Sequence, residues 1–214
     1  MNASISAQNI QAWLRECAET YLQNKHELTA LDAAIGDGDH GENMARAFST
    51  VPAKLKALKV IDIESLLRTT AVTLICQSGG ASGPLYGTFF LMAARVAHGK
   101  EELSLPDLCE CFDAGLAGIV NLGKASVGDK TMVDALTPAF AALHAGEGDP
   151  ISPALARAIA VAREAAEATI PLVARKGRAS YLGERSAGHK DPGAASSVLL
   201  LEALAKSLEA AASA

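Results

Sequence analysis

Apolar residues recur with the period of an α-helix along nearly the whole chain, and this constrains the fold more than any other feature of the sequence. Ile10, Trp13, Leu14, Cys17 and Tyr21 form one stripe of an amphipathic helix that opens after the capping candidates Ser4 and Ser6. A second helix is predicted from about Asn43 to Leu58, with Met44, Phe48, Val51 and Leu55 on one face and Pro52 either kinking it or marking its true start. Asp62 caps a third, which runs through Leu66, Leu67, Leu74 and Ile75. A fourth begins at Pro84 and continues to about His98, and Ser104 with Pro106 opens a fifth that ends near Leu122 and Gly123. Thr131 to Ala145 makes a sixth, Ser152 with Pro153 starts a seventh reaching Arg175, and Ala194 to Ala212 makes an eighth. No stretch alternates with period two, so no strand is needed. The expected fold is all-α: one domain over residues 1–214, a bundle of eight antiparallel helices joined by short loops.

Composition sets the outer bounds. With 214 residues, half of them hydrophobic, the chain can bury a full core. A formal charge of −5 argues against a nucleic-acid binder, which would carry a basic surplus. Cys17, Cys76, Cys109 and Cys111 form no CxxC and sit in apolar-periodic segments, so they read as reduced core thiols. The N-terminus lacks a basic region followed by an apolar one, and the longest apolar run, PLYGTFFLMAARVA, is too short to span a bilayer. A soluble, cytoplasmic protein is expected.

The helical period fails in four glycine-rich segments, at 34–43, 78–84, 121–132 and 175–193. Each falls at a junction between successive predicted helices: 1/2, 3/4, 5/6 and 7/8. If the helices alternate up and down, all four junctions lie at the same end of the bundle. Loops on a rigid scaffold commonly carry function. Within its first sixteen positions, 175–190, the last segment holds Arg175, Lys176, Arg178, Arg185 and Lys190 against Glu184 as the only acid.

The first segment, AIGDGDHGEN, places Asp37 and Asp39 between glycines, beside His40 and just after Asp32. At roughly 5 Å and an effective dielectric of about 20, each carboxylate pair repels by roughly 3 kcal/mol. Either a cation sits among them or they point apart into water. An all-oxygen set too small to complete an octahedron suits Mg²⁺ held together with water and ligand phosphates. An EF-hand fails, because counting from Asp37 its fifth ligand position falls on Gly41 and its terminal glutamate position on Phe48. Zinc is poorly served by one histidine without a nearby cysteine. The competing structural use is a solvated turn in which Asp37 or Asp39 caps the next helix.

SGGASGP offers backbone amides that a phosphate can approach at a helix entrance, although it is neither a Walker A loop nor a GxGxxG after a strand. As a structural device it is a glycine-rich turn. Clustered arginine suits phosphate because the guanidinium fork binds it bidentately; the alternative is a solvated surface loop. His40 alone is more often a local hydrogen bonder than a base. No Ser/His/Asp or Cys/His arrangement can be assembled, which leaves phosphoryl or nucleotide chemistry.

LDAAIGDGDHGENMARAF, GGASGPLYGTFF, GDKTM and GRASYLGERSAGHKDPGA, in that order, resemble the nucleotide-binding subunit of bacterial dihydroxyacetone kinase, the DhaL family. The resemblance extends over essentially the whole chain. It implies a barrel of eight antiparallel helices with the nucleotide at one end. It implies that Asp32, Asp37 and Asp39 hold two Mg²⁺ ions bridging to the diphosphate of ADP, and that His40, Gly41 and Asn43 line the phosphates. It further implies that Ala81 and Ser82 donate to the phosphates, that Gly123, Thr131 and Met132 border the adenine, that Arg178 reaches the phosphates as the catalytic residue, and that Asp191, Pro192 and Gly193 close the site.

Three functions fit this reading. In the first, ADP is a prosthetic group, phosphorylated by a phosphohistidine-carrying subunit and discharged onto dihydroxyacetone in a separate substrate-binding subunit. In the second, ATP exchanges freely and the chain serves an ATP-dependent ketose kinase. The third is a nucleotide-sensing module without turnover.

Overall fold

The computed structural model describes residues 4–146 and 148–212. Its helices are α1 (Ala7–Gln23), α2 (Lys25–Ile35), α3 (His40–Lys56), α4 (Ile63–Gln77), α5 (Ser82–Val96), α6 (Leu105–Gly123), α7 (Met132–His144), α8 (Ile151–Ala168) and α9 (Pro192–Ala212), with a 3₁₀ segment at Arg178–Ser186 before α9. The only strands among the described residues are β1 (Ile5–Ser6) and β2 (Glu102–Leu103), an antiparallel pair. The all-α expectation therefore holds. No helix among the described residues is long and apolar enough to cross a membrane.

Helix packing runs from α1 to α3 and then in chain order through α4, α5, α6, α7, α8 and α9, and α9 returns onto α1. Among the described residues eight helices thus close a ring, and α2 is a ninth that the periodicity did not disclose. Within α2, KHELTALDAAI, only Leu28, Asp32 and Ile35 are buried, too few for a readable stripe. Only Asn24 separates it from α1, the two helices barely touch, and α2 packs chiefly on α3. Because α1 and α3 pack directly on each other, α2 does not interrupt the order of the eight ring helices.

Boundaries moved where local signals competed. Helix α3 begins at His40 and runs through Pro52 to Lys56, so Pro52 neither starts nor ends it. Helix α5 begins at Ser82, two residues ahead of Pro84. The seventh predicted helix stops at Ala168, not Arg175, because Pro171 cannot continue it and the carbonyls beyond Ala168 find another partner. Caps behave as read: Ser6 accepts from Asn9 N–H, Asp62 from Ser65 N–H at 2.7 Å, and Ser104 from Asp107 N–H.

Aromatic side chains are scarce, and the ring concentrates them in its interior. Trp13 stands 5.5 Å from Phe90, Phe112 5.0 Å from Phe140 and Tyr21 4.5 Å from Phe48, centroid to centroid. Tyr21 of α1 also meets Tyr86 of α5, helices that are not ring neighbours, so these rings fill the space that alanine and leucine leave. Truncating a buried aromatic such as Phe48 to alanine would cost roughly 3–5 kcal/mol. Polar ends are satisfied: Trp13 Nε1 donates to the Leu200 carbonyl at 3.0 Å and Tyr21 Oη to the Ser196 carbonyl at 2.8 Å. Cys17, Cys109 and Cys111 are buried as expected, but Cys76 is exposed, because the solvent face of α4 carries it beside Val72 and Ile75.

Candidate functional site

One cleft at the end of the ring draws its walls from all four glycine-rich segments. Asp37, Asp39 and His40 come from the first, Gly80 to Ser82 from the second, Lys130 to Met132 from the third, and Lys176 to Ala179 with Asp191 to Gly193 from the fourth. The four junctions therefore share one end, as the junction parity requires.

Asp32, Asp37 and Asp39 each present a carboxylate oxygen within 4.8 Å of the other two. They reach this arrangement by different routes. Asp32 projects from the last turn of α2 and is buried; its Oδ2 accepts Asp39 N–H at 2.8 Å and His40 N–H at 3.0 Å. The helix cap on α3 is therefore supplied by Asp32, from outside the turn. Asp39 occupies the N-cap position without a side-chain cap bond, and its carboxylate has no hydrogen-bonding partner among the described residues. Gly36 makes room for the cluster, since a Cβ there would stand 2.1 Å from Asp32 Oδ1. Arg178 Nη2 lies 3.0 Å from Asp37 Oδ2. A hard, all-oxygen donor set with one unbonded carboxylate fits magnesium.

His40 Nε2 lies 2.9 Å from Ser196 Oγ, which lies 2.7 Å from Tyr86 Oη, and Tyr86 also approaches Ser197 Oγ at 3.2 Å. Ser196 in turn donates to the Gly193 carbonyl at 3.0 Å. Burial lowers the His40 imidazole from its ordinary value, against the opposing charges of Asp32 and Asp39 and the Pro192 carbonyl. Burial likewise pushes the Tyr86 phenol up to about 12. Tyr86 and Ser196 were not singled out in the sequence; the readable signal was a tyrosine and a Ser-Ser pair in otherwise apolar helices, groups that need partners when buried.

The remaining expected residues divide into those that wall the cleft and those that stand behind it. Ala81 and Ser82 sit at the N-terminal end of α5, where amides point outward, and Ser82 Oγ lies 3.0 Å from Ser78 Oγ. Thr131 caps α7, its hydroxyl accepting Val133 N–H at 3.2 Å and its amide donating to Asp134 Oδ2 at 2.7 Å; Met132 follows it on the cleft wall. Asp191 is buried, Oδ2 accepts Ala194 N–H at 2.7 Å, and burial raises its carboxyl to about 7. Gly41, Asn43 and Gly123 do not line the cleft. Gly41 packs α3 onto α2, where an added Cβ would stand 2.0 Å from the Lys25 carbonyl oxygen. Asn43 is buried beneath Gly79 and Gly80 with Nδ2 unpartnered. Gly123, at the end of α6, backs onto Leu85, itself a wall residue.

Residues 34–206 match the DAK2 domain family. The ADP-binding subunit DhaL of the PEP-dependent dihydroxyacetone kinase of Escherichia coli (strain K12) is 45% identical over 94% of this chain and 97% of that protein. This chain belongs to the DhaL family. The ADP-binding subunit DhaL of the PTS-dependent dihydroxyacetone kinase of Lactococcus lactis is 42% identical over 90% of this chain and 93% of that protein. Among solved structures, the dihydroxyacetone kinase of C. freundii in complex with AMP-PNP and Mg²⁺ superposes with a TM-score of 0.72 at 28% identity. That match covers 97% of this chain but only 35% of the other, so the DhaL chain corresponds to about a third of that kinase.

Proposed function

We propose that this chain, acting over residues 1–214 as one nucleotide-binding unit, is the phosphoryl-carrying subunit of a cytoplasmic dihydroxyacetone kinase. It holds Mg-ADP as a prosthetic group, accepts a phosphoryl group from a phosphohistidine-carrying donor subunit, and passes it to dihydroxyacetone bound on a separate substrate subunit. The observation that carries the reading is the convergence, in one cleft, of three carboxylates, the N-terminal end of α5 and Arg178.

Asp32, Asp37 and Asp39 would hold two magnesium ions, which when bound neutralise phosphate charge. Ala81 and Ser82 present N–H and hydroxyl donors to the phosphates, beside His40. Gly41 and Asn43 act from behind this wall, Gly41 by letting α3 approach α2 and Asn43 through its unpartnered Nδ2. Thr131 and Met132 border the adenine, with Gly123 supporting Leu85 beside them. Asp191, Pro192 and Gly193 close the cleft from the start of α9, and Arg178 meets charge on the moving group. Such a site works by positioning and electrostatics, which is what phosphoryl transfer requires.

No second constellation for a small ketone accompanies this cleft among the described residues. The groove between α2, α8 and α9 pairs both of its cations internally, Lys190 with Glu167 and Arg163 with Glu202. The second reading, exchangeable ATP, is favoured by the AMP-PNP and Mg²⁺ complex of the structural relative. Mass spectrometry of denatured, extensively washed protein separates the two: ADP near one per chain is expected for the prosthetic-group reading, and empty protein that binds ATP reversibly would favour exchange. The isolated chain should not phosphorylate dihydroxyacetone even with excess ATP and Mg²⁺, and robust phosphorylation by it alone would overturn the subunit reading.

A further inference from the structure

Lys130 is a buried cation without a carboxylate partner. It is 1% exposed, it adopts a positive φ of 63° in the turn before Thr131 caps α7, and among the described residues no acid forms an ion pair with it. Its three N–H donors instead face four backbone carbonyls, one donor being shared: Thr169 at 2.8 Å, Leu172 at 3.1 Å, Ile170 at 3.2 Å and His189 at 2.5 Å. Burial lowers the ammonium from the ordinary lysine value, while Asp191 and Asp134 oppose the fall.

The four oxygens come from two places. Three belong to the segment that leaves the C-terminal end of α8, where the helix dipole concentrates partial negative charge and attracts a cation. The fourth precedes Lys190 and Asp191. Gly188 N–H also donates to the Ile170 carbonyl at 2.8 Å, so the two stretches run side by side at the cage. One ammonium therefore fastens both roots of the excursion that carries Arg175, Arg178 and Arg185. All four of its hydrogen-bonding partners are acceptors, which employs all three N–H donors of the ammonium and would leave a neutral amine's lone pair facing oxygen.

A ring of converging carbonyl oxygens is also how proteins replace the hydration shell of a potassium ion. We propose that this cage is a monovalent-cation site whose resident cation is the tethered Lys130 ammonium, and that a free potassium or ammonium ion occupies it once the lysine side chain is removed. Its functional consequence rests on the reading of Arg178 given above: the cage fixes the loop from which Arg178 reaches Asp37 and the phosphates. Lys130 is then a positioning residue. Its ammonium is engaged by the four carbonyls, and its charge acts through the loop.

The test is Lys130→Ala, melted in LiCl, KCl, NH₄Cl and tetramethylammonium chloride at equal ionic strength. Loss of the ammonium leaves the Leu172 and His189 carbonyls without a partner and the Thr169 and Ile170 carbonyls with one backbone N–H each, which should lower Tm by roughly 10 °C in lithium and tetramethylammonium. Potassium and ammonium should recover at least half of that loss, saturably, while the wild-type protein shows no such discrimination. Equal melting of the variant in all four salts would overturn the cage. Mg-dependent ADP affinity of the variant should follow the same order of salts; selective recovery of Tm without recovery of affinity would leave the cage standing and remove its link to the nucleotide. Should the variant fail to fold in every salt, ¹⁵N spectroscopy of lysine-labelled wild-type protein decides. A caged ammonium exchanges its protons slowly and gives one Nζ proton resonance that persists at about pH 7; its absence would overturn the proposal.

Discussion

Arg178 Nη2 stands 3.0 Å from Asp37 Oδ2, so the basic loop reaches across the cleft and lays its guanidinium on the acidic cluster. Both side chains are substantially exposed, 63% and 33%, and an ion pair this wet contributes little to stability. Its value lies in position. Arg178→Lys should leave Tm within about 2 °C of wild type and reduce turnover in the reconstituted kinase by roughly a thousandfold, with a smaller loss of ADP affinity, because an ammonium cannot reproduce the planar fork. Equal losses of turnover and affinity would make it a binding residue only.

The carboxylate cluster should be indispensable for metal-dependent nucleotide binding. At a free ligand concentration of about 100 times Kd, Mg-ADP stabilises the folded chain by roughly 2.7 kcal/mol. Asp37→Asn removes one oxygen donor of the three that converge within 4.8 Å and should abolish that thermal shift. An undiminished shift in the variant would count against the magnesium assignment.

Two glycines expected at the nucleotide should respond in opposite ways to an added methyl group. In Gly41→Ala the new Cβ would stand 2.0 Å from the Lys25 carbonyl oxygen and 2.7 Å from Thr29 N, both backbone atoms, so α3 must move away from α2. A loss of about 1–3 kcal/mol is expected, and His40 moves with the helix. In Gly123→Ala the nearest contact is Leu85 Cδ2 at 3.4 Å. Tm should be unchanged or slightly raised, and chemical denaturation of the two variants compares them directly.

Asp191 supplies a pH dependence of stability. Its carboxyl is raised to about 7, mainly by burial, so the folded chain keeps this proton over a range in which the unfolded chain has lost it. Stability from this group is therefore fully present below about pH 4 and is lost as pH rises through 7, levelling above it. The full effect is at most roughly 4 kcal/mol. Asp191→Asn should flatten that decline in urea denaturation measured from pH 4 to 8; an unchanged slope would remove Asp191 as its source.

Much of the architecture and the outline of the cleft is legible in the sequence. Eight helices follow from apolar spacing and caps, and the shared end of four glycine-rich junctions follows from their order. These are local rules: a cap reaches three residues and an apolar stripe repeats within two turns, so the sequence by itself carries them. The same locality explains Asp37 and Asp39, two acids in one turn whose mutual repulsion demands a counter-charge.

What the tertiary structure alone decided involves partners far apart in the chain. The α3 cap comes from Asp32 on a helix with no readable stripe, His40 is held by Ser196 at a separation of 156 residues, and the Lys130 ammonium is satisfied by carbonyls 39 to 59 residues away. Each of these groups carries a desolvation cost that only a specific three-dimensional partner offsets, and residue type does not encode which backbone carbonyl or hydroxyl that partner is. GDKTM announces a turn and a capped helix. That its lysine points inward and fastens the arginine loop depends on the end of α8 arriving beside it, which the closed ring of helices determines.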